Sequence, residues 1–580
     1  MRNVIEKTES LNFYKNLADK KADAGSLTDA LGLYLTVLHA DAKNLTAIAD
    51  VADCYADMGL LELSNKYWFL FLTFAPRDKE SVAYEELAIN YFYMDNFWAS
   101  SYYFRLKVER DGFIAEEGLD EEIIRFFSSS DALRDLYYIA YPYDKADYSG
   151  VAKIAKRAFS AGDISRAIKV YRKIPAECRT EEISGDYATA LFLAKSDDEA
   201  IEVCKDSLIR HGENVNAYCN LSSVYAAKGD ADKAEYYYSR ALGARKGIDA
   251  ENYKIAASAI ERGDDFTAKN SISVILKERP YDDVMTFFYA IACINLGDYE
   301  SGKTMIETAR KINSEDDIYR YYSALFNDIC ENPSLADEFL PFKYVKGLPK
   351  TTESAIKREI TKIMNGKLPY SMLSDDSVRQ NLKFALKFED RKTAKSAAFL
   401  LGSSEKAEDK AIIYSALIDG EVDDEVKNAL IYLLIVGGEK RRINAVIGDC
   451  FYSVKPKKVI FENKQDAEIY KFAYALALVK TMRYETVDSA KIAFNMNELY
   501  TDFAETIRFN GFHAEEIAAL CFLMCGEQSK ENIKSVCAEF GVDKQNVALV
   551  GEFYDFIKKI KPIKIKERAE KSAGKEKNVD

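Results

Sequence analysis

Residues 249–282 read DAENYKIAASAIERGDDFTAKNSISVILKERPYD, and their pattern returns along the chain every 34 residues. Equivalent segments start at residues 181, 215, 249, 283 and 317. One aligned column holds turn glycines and another holds small residues. The first contains Gly229, Gly263 and Gly297, and the second contains Ala200, Ala234, Ala268 and Gly302. A fixed period of this length with these two columns is typical of stacked helix pairs, so the sequence predicts an all-α solenoid.

Composition narrows the class of protein further. The chain has 580 residues, which is too long for one compact core, and only 10 prolines, which agrees with long helices. Its net charge of −14 argues against nucleic acid as the main partner of the whole surface. No stretch approaches the roughly 18 apolar residues that a membrane span needs. Ten cysteines without a paired framework favour a reducing compartment, so we expect a cytoplasmic protein with no membrane partner.

The repeat resembles the tetratricopeptide repeat (TPR), whose pattern combines large apolar, small, glycine and proline positions. Two segments match it closely. Residues 45–78 supply Ile48, Val51, Ala52, Tyr55, Gly59, Ser64, Trp68, Phe71 and Pro76, and residues 249–282 supply Ile255, Ala256, Ala259, Gly263, Ala268, Ile272, Ile275 and Pro280. The small residues let the two helices of a pair approach, and the bulky ones fill the next layer.

Looser copies extend the resemblance over about the first 330 residues. We predict about eight repeats in two blocks, residues 11–114 and 148–330, separated by a degenerate helix pair or joint at 115–147. The resemblance implies an α-solenoid that binds a protein or peptide along its concave face.

Five residues are predicted to contact such a partner: Asn220, Tyr253, Lys254, Phe287 and Tyr321. In TPR proteins the first helix of each pair lines the groove, and the aromatic members stand at the same repeat position. Two explanations remain open. The aromatic row could hold a partner's helix or extended peptide, or the following domain could fold back over it and make it ordinary core.

Residues 297–304 read GDYESGKT and match the phosphate-binding loop pattern through Gly297, Gly302, Lys303 and Thr304. The repeat already accounts for both glycines. Asp298 and Glu300 would repel phosphates, and the preceding segment has helical rather than strand periodicity. We therefore interpret the match as accidental and predict no nucleotide site.

The last third departs from the repeat. We expect an irregular helical region at 331–455 and a C-terminal helical domain at 456–557, with a short β insertion between Arg442 and Phe461. Basic residues flank this insertion: Lys440, Arg441, Arg442, Lys455, Lys457 and Lys458. They would either touch nucleic acid or form a solvated face.

Residues 516–550 resemble a helix-turn-helix and the last helices of cyclin-like folds. Ser529 would cap one helix, Gly541 would form the turn, and Lys544, Gln545 and Asn546 would be the base-reading candidates. Residues 558–580 are a basic tail for which we expect disorder. Cys521, Cys525, Cys537 and His513 lack the spacing of zinc ligands, so no metal and no cofactor are predicted.

These patterns favour a non-catalytic scaffold or adaptor, since no catalytic constellation is present. The alternative is a transcription- or RNA-associated regulator that uses residues 516–550 and the tail.

Overall fold

A computed structural model describes residues 2–111, 148–160, 162–246, 249–388, 390–404, 406–457, 464–481, 489–526 and 530–560. The joint predicted at 115–147 lies outside these residues, as do Ser529, Lys458 and most of the basic tail. The described chain forms two compact units, Met1–Glu353 and Ser354–Asp580. The first unit therefore extends beyond residue 330, where we expected the repeats to end.

The first unit is built of antiparallel helix pairs, and each pair packs on the next. Three pairs precede residue 112: α1 (Arg2–Asp23) and α2 (Leu27–Ala40), α3 (Leu45–Asp57) and α4 (Leu61–Phe74), α5 (Glu80–Tyr93) and α6 (Phe97–Asp111). Five follow residue 147: α7 (Ser149–Ser160) and α8 (Ile164–Tyr171), α9 (Glu181–Leu193) and α10 (Asp197–His211), α11 (Val215–Ala227) and α12 (Ala231–Gly243), α13 (Asp249–Arg262) and α14 (Asp265–Glu278), α15 (Asp283–Asn295) and α16 (Tyr299–Ile312). The helix α17 (Asp317–Glu331) ends the array and is followed by a 3₁₀ turn, Pro333–Glu338. The predicted starts at 181, 215, 249, 283 and 317 are confirmed as helix starts.

Side-chain caps explain why the helices begin where they do. The residue before five of the first helices accepts a hydrogen bond from a backbone N–H of the first turn; these caps are Asn44, Thr180, Asn214, Asp282 and Asp316. The second helices repeat the arrangement with Asp163, Asp230, Asp264 and Asp298. A cap of this kind contributes about 1 kcal/mol, so the polar column reinforces the register that the apolar positions set.

The two blocks of helix pairs also contact each other inside the first unit. Helix α2 packs against α16, and the His39 imidazole lies 3.8 Å from the Glu315 carboxylate. Tyr55 and Tyr67 stack at 5.6 Å, and burial followed by the charge of Glu315 raises the pKa of both phenols. Because each pair is rotated slightly relative to the one before it, α16 near the end of the array comes to lie against α2 near its beginning.

The second unit consists of irregular helices around a two-stranded hairpin. Its helices are α18 (Lys350–Met364), which crosses from the first unit, α19 (Asp376–Ala385), α20 (Arg391–Gly402), α21 (Ala407–Ile418), α22 (Asp424–Val436), α23 (Lys464–Thr481), α24 (Ser489–Phe509), α25 (Ala514–Leu523), α26 (Lys530–Glu539) and α27 (547–560). The second unit continues through residues 455 and 456, where we expected a boundary between an irregular helical region and a C-terminal domain. Tyr432 and Phe472 meet across it with ring centroids 4.5 Å apart, and the Tyr474 hydroxyl bonds both backbone groups of Lys457.

The predicted β insertion is confirmed as an antiparallel pair, β1 (Ile443–Ile447) and β2 (Cys450–Val454). Gly448 and Asp449 join the strands, both with positive φ, which suits the right-handed twist of a two-residue hairpin loop. All five residues of β1 are buried against α21 and α22. Lys427 of α22, itself 2% exposed, donates to the Val446 carbonyl over 2.9 Å and ties the hairpin to the helices.

Within the described ranges no helix is long and apolar enough to cross a membrane.

Candidate functional site

The five predicted contact residues all lie on first helices of the repeats. Asn220 is on α11, Tyr253 and Lys254 are on α13, Phe287 is on α15, and Tyr321 is on α17. The structure therefore places them in one row of neighbouring helices, although their environments differ sharply.

Asn220 is a structural link between two repeats. Its side chain is 6% exposed. The amide nitrogen donates to the Gly185 carbonyl over 2.9 Å, and the amide oxygen accepts from the Thr189 hydroxyl over 3.2 Å. Since both bonds run to α9, the amide fixes the spacing of α9 and α11.

Tyr253 and Lys254 are partly accessible. The Tyr253 hydroxyl donates to Asp282 over 3.1 Å, and the Arg279 guanidinium lies 5.6 Å from its ring centroid. Burial, and then the Asp282 charge, raises the pKa of Tyr253 to about 12. The Lys254 ammonium lies 3.4 Å from the Thr189 hydroxyl, which also donates to the Asn220 amide. The three side chains thus link the first helices of three repeats. The Tyr253 hydroxyl and the Lys254 ammonium are thus held in place by polar contacts with neighbouring repeats.

Phe287 is a core residue, contrary to the prediction that it contacts a partner. It is 0% exposed, with its ring centroid 5.5 Å from that of Tyr319 and 4.9 Å from that of Tyr322. Tyr321 remains partly accessible, and its hydroxyl lies 3.0 Å from the Thr352 hydroxyl. Because α17 packs its aromatic face on α15, the inward ring at 287 is sealed.

A segment that the sequence did not single out completes this seal. Residues 339–348, here called the strap, leave the 3₁₀ turn and run back over the first helices α13, α15 and α17. The Asn295 amide clamps its backbone: the amide nitrogen donates to the Phe342 carbonyl over 3.0 Å, and the Phe342 N–H donates to the amide oxygen over 2.8 Å. Both bonds are made to the backbone of Phe342 and not to its side chain.

Side chains of the strap alternate between the helices and solvent. Phe342 stacks edge-on against Phe326 at 5.5 Å, and Leu348 is buried, while Lys343 is exposed. Tyr344 packs on Phe288 at 5.8 Å. The backbone of the strap is turned rather than extended: the Val345 N–H donates to the Lys343 carbonyl over 2.9 Å, and the Gly347 N–H donates to the Val345 carbonyl over 2.8 Å.

Polar groups fix the strap at two further places. The Tyr344 hydroxyl donates to Asp265 over 2.5 Å, and burial followed by this bond raises the pKa of the phenol. The Lys346 ammonium pairs with Asp316 over 2.8 Å, and the Asp316 side chain in that pair is only 7% exposed. Two explanations were open for the aromatic row: that it binds a partner, or that the following domain folds back over it. At Phe287 the chain does fold back over the row, but the covering segment is the strap, which belongs to the same unit.

The phosphate-loop match falls on a turn between two helices. Helix α15 precedes Gly297, whose φ is +79°, and Asp298 caps α16 while accepting from Lys269 over 2.8 Å. A Cβ on Gly302 would meet the Ile294 side chain at 2.6 Å, so helix packing explains this glycine. The Thr304 hydroxyl donates to the Glu300 carbonyl over 2.9 Å.

The helix-turn-helix-like segment turns at Gly541, whose φ is +74°, as predicted. The Asn546 amide donates to Glu516 over 2.9 Å, so this candidate is used inside the unit. Lys544 and Gln545 are exposed, but α27 behind them turns Glu552 and Asp555 outward. Lys558 and Lys559 of the same helix are also exposed, so α27 has no excess of positive charge to attract a phosphate backbone.

The basic flank of the hairpin is partly neutralised. Arg441 forms two bonds with Glu439, of 3.1 and 2.9 Å, and its guanidinium lies 5.1 Å from the Tyr414 ring centroid. The bonds from Arg441, opposed by some burial, lower the pKa of Glu439 to about 2. Arg441 is therefore committed to an internal pair.

Neither the protein-family models nor the curated proteins include a match to the chain. Among solved structures, YrrB, described as a TPR protein with an unusual peptide-binding site, is 14% identical with a TM-score of 0.22, covering 31% of this chain and 94% of its own. Pseudomonas aeruginosa PilF is 15% identical with a TM-score of 0.24, covering 43% and 98%.

The TPR2AB domain of yeast Sti1, solved with pHSP90, is 16% identical with a TM-score of 0.20, covering 47% and 98%. The assignment of the fold rests on the chain's own helix pairs, their 34-residue spacing and their capped turns. The chain carries a tetratricopeptide-type α-solenoid followed by an irregular α-helical unit with a short β-hairpin.

Proposed function

We propose that this protein is a non-catalytic scaffold that binds a protein or peptide along the row of first helices. The observation that carries the proposal is the strap, because the same row holds a non-helical segment of the chain through an amide that bonds its backbone. A surface with this property suits peptide recognition, in which backbone contacts supply affinity and side-chain positions supply selectivity.

The accessible part of the row is the second support. Tyr253, Lys254 and Tyr321 expose part of their side chains, whereas Asn220 and Phe287 act as structural residues. We therefore propose the first three as direct contacts and the last two as supports. A lysine beside an aromatic ring favours a partner that carries both a carboxylate and an apolar side chain.

The test is capture of partners from an extract of the source cells by the full chain and by Tyr253→Ser/Lys254→Ser. The matched control is Phe266→Ser, which changes a ring that is 67% exposed on the second helix of the same repeat. We expect a partner captured by the wild type and the control to be lost from the double variant, with unchanged helicity. Equal capture by all three proteins would contradict a role for this part of the row.

A further inference from the structure

We infer that the strap is a built-in competitor, and that the site under it binds a non-helical segment of a partner with an aromatic residue, a second aromatic residue and a lysine at alternate positions. This inference rests on the proposed function and names the chemistry of its ligand. It follows from three features of the strap: how its backbone is held, what its inward side chains meet, and how it is connected.

The backbone contact does not depend on the identity of the bound residue. Asn295 donates to the Phe342 carbonyl over 3.0 Å and accepts from the N–H of the same residue over 2.8 Å. The amide is held in position by Asp265, which accepts from its nitrogen over 3.0 Å. Any segment that presents the backbone N–H and carbonyl of one residue to the amide could satisfy the clamp, so selectivity must come from the side chains that follow it.

Three inward positions define that selectivity. The first, at Phe342, meets an aromatic wall that includes Tyr322 and Phe326 at 6.1 and 5.5 Å. The second, at Tyr344, combines ring packing on Phe288 with the carboxylate of Asp265.

The third position, at Lys346, reaches Asp316 over 2.8 Å while its ammonium lies 5.1 Å from the Tyr319 ring centroid. Buried Asp283 lies beside it, and the charge of Lys346 opposes the rise in the pKa of that carboxyl caused by burial. Two acidic groups and an aromatic face therefore select a cation at this position.

Because the strap is covalently attached close to the site, it competes strongly with a partner segment even though its contacts are ordinary ones. The strap follows α17 directly, so its effective concentration at the site is in the millimolar range. A partner segment with the same contacts must overcome this local concentration. If the strap occupies the site about nine-tenths of the time, the apparent affinity of the partner is reduced about tenfold.

The experiment uses the full chain and a fluorescent synthetic peptide of residues 337–350. The strap variant Phe342→Ser/Tyr344→Ser leaves every residue of the site unchanged. We expect the peptide to bind this variant about tenfold more tightly than the wild type by fluorescence anisotropy. The control variant Lys343→Ser/Val345→Ser alters outward positions, the second of which is 60% exposed, and should bind like the wild type.

The peptide provides a second matched comparison. Peptides with alanine at the inward positions 342, 344 and 346 should lose binding to the strap variant, and peptides with alanine at 343 and 345 should retain it. Because the strap variant exposes apolar surface, its thermal midpoint is measured too. Saturating peptide should raise that midpoint in the variant by more than in the wild type.

Failure of the peptide to bind or stabilise a helical strap variant would overturn the inference. So would equal binding of the inward and outward peptides. Wild-type dimers that the strap variant cannot form would identify a second copy's strap as the occupant and would also overturn it. None of these outcomes depends on Tyr253 or Lys254, so a failed strap experiment is distinguishable from a failed scaffold proposal.

Discussion

The turn between the two helices of a repeat depends on one backbone conformation. Gly229, Gly263 and Gly297 hold it with φ of +78°, +70° and +79°, and each is followed by an aspartate that caps the next helix. Two other repeats use the same conformation without glycine, at Asp95 with φ of +56° and Lys195 with φ of +61°. A side chain makes this conformation costly, so these positions are local weak points.

Replacing Lys195 with glycine should stabilise the first unit. The left-handed conformation costs a non-glycine residue about 1–2 kcal/mol, and the greater freedom of glycine in the unfolded chain offsets part of the gain. We expect Lys195→Gly to raise the free energy of unfolding by about 0.5–1 kcal/mol in urea titrations followed by circular dichroism. The neighbouring Ala194→Gly, at a φ of −78°, should instead lower it. A loss of stability in both variants would contradict this account.

Asp283 gives the first unit a pH-dependent contribution. It is 7% exposed, and burial raises the pKa of its carboxyl even though the Tyr319 hydroxyl donates to it over 2.9 Å. The folded state therefore holds this proton more tightly than the unfolded state. The contribution of Asp283 to stability is complete below the unfolded pKa and is lost as the pH rises through the folded pKa.

Asp283→Asn removes this titration while keeping an acceptor for Tyr319. We expect the free energy of unfolding of the variant to gain on that of the wild type between about pH 4 and pH 7, by about 1.4 kcal/mol per unit of pKa difference. Asp316 and Lys346, which also face this carboxyl, are unchanged in both proteins. Urea unfolding at the two pH values measures the difference. A difference that does not change with pH would assign Asp283 an ordinary pKa.

At the scale of elements, close approach of the paired helices explains the column of small residues. In α16 the position is Gly302, where a Cβ would lie 2.6 Å from Ile294 Cδ1 and 3.2 Å from the Ala290 carbonyl oxygen. Other repeats use alanine at the equivalent position. The bulk of Ile294 on the facing helix therefore accounts for the glycine, and a nucleotide is not needed to explain it.

Gly302→Ala should destabilise the first unit by about 1–3 kcal/mol, the usual cost of overpacking, although alanine is the better helix former. The control is Gly243→Ala at the end of α12, where nothing lies within 4 Å of the new Cβ. That variant should be neutral or slightly more stable. Chemical unfolding of both proteins gives the comparison, and a stabilised Gly302→Ala would show that the two helices separate easily.

The elements that could be predicted are those with a period. The 34-residue columns predict the helix starts from 181 to 317, and the apolar residues between Arg442 and Phe461 predict the β insertion, although its turn lies at 448–449 and not at the break around Lys455 and Pro456. The strap could not be found in this way, because its ten residues do not repeat and form no regular structure. Its partners, Asn295 and Asp265, lie 47 and 79 residues from the strap positions they bond. Only folding of the array brings them together.

The candidate site was predicted less well, because the repeat pattern fixes which helix a residue occupies but not what covers it. Phe287 and Tyr321 share a repeat position, yet one is sealed by α17 and the strap while the other stays partly accessible. Asn220 is predicted as a contact because it lies on a first helix, which lines the concave face in TPR proteins. Its bonds to α9 show that a polar residue at this position can equally join two repeats.

For the whole molecule, the distribution of charge distinguishes between the two functions suggested by the sequence, a protein-binding scaffold and a transcription- or RNA-associated regulator. The net charge is −14, and residues 558–580 hold nine basic and four acidic residues, leaving −19 elsewhere. The outward side chains of α27 include Glu552 and Asp555. Exposed Lys558 and Lys559 balance these two carboxylates, so α27 offers a duplex no excess of positive charge.

We therefore expect the full chain to show no sequence-selective binding to duplex DNA or RNA at about 150 mM salt. Any binding at low salt should come from the tail, fall steeply as salt rises, and disappear when residues 561–580 are removed. Lys544→Ala/Gln545→Ala should leave it nearly unchanged, because a single lysine adds little to the nine basic residues of the tail. Fluorescence anisotropy over a salt series measures all three proteins. Selective binding that survives loss of the tail but is abolished by the double substitution would instead establish residues 516–550 as a nucleic-acid reader, and the scaffold proposal would then describe only the repeats.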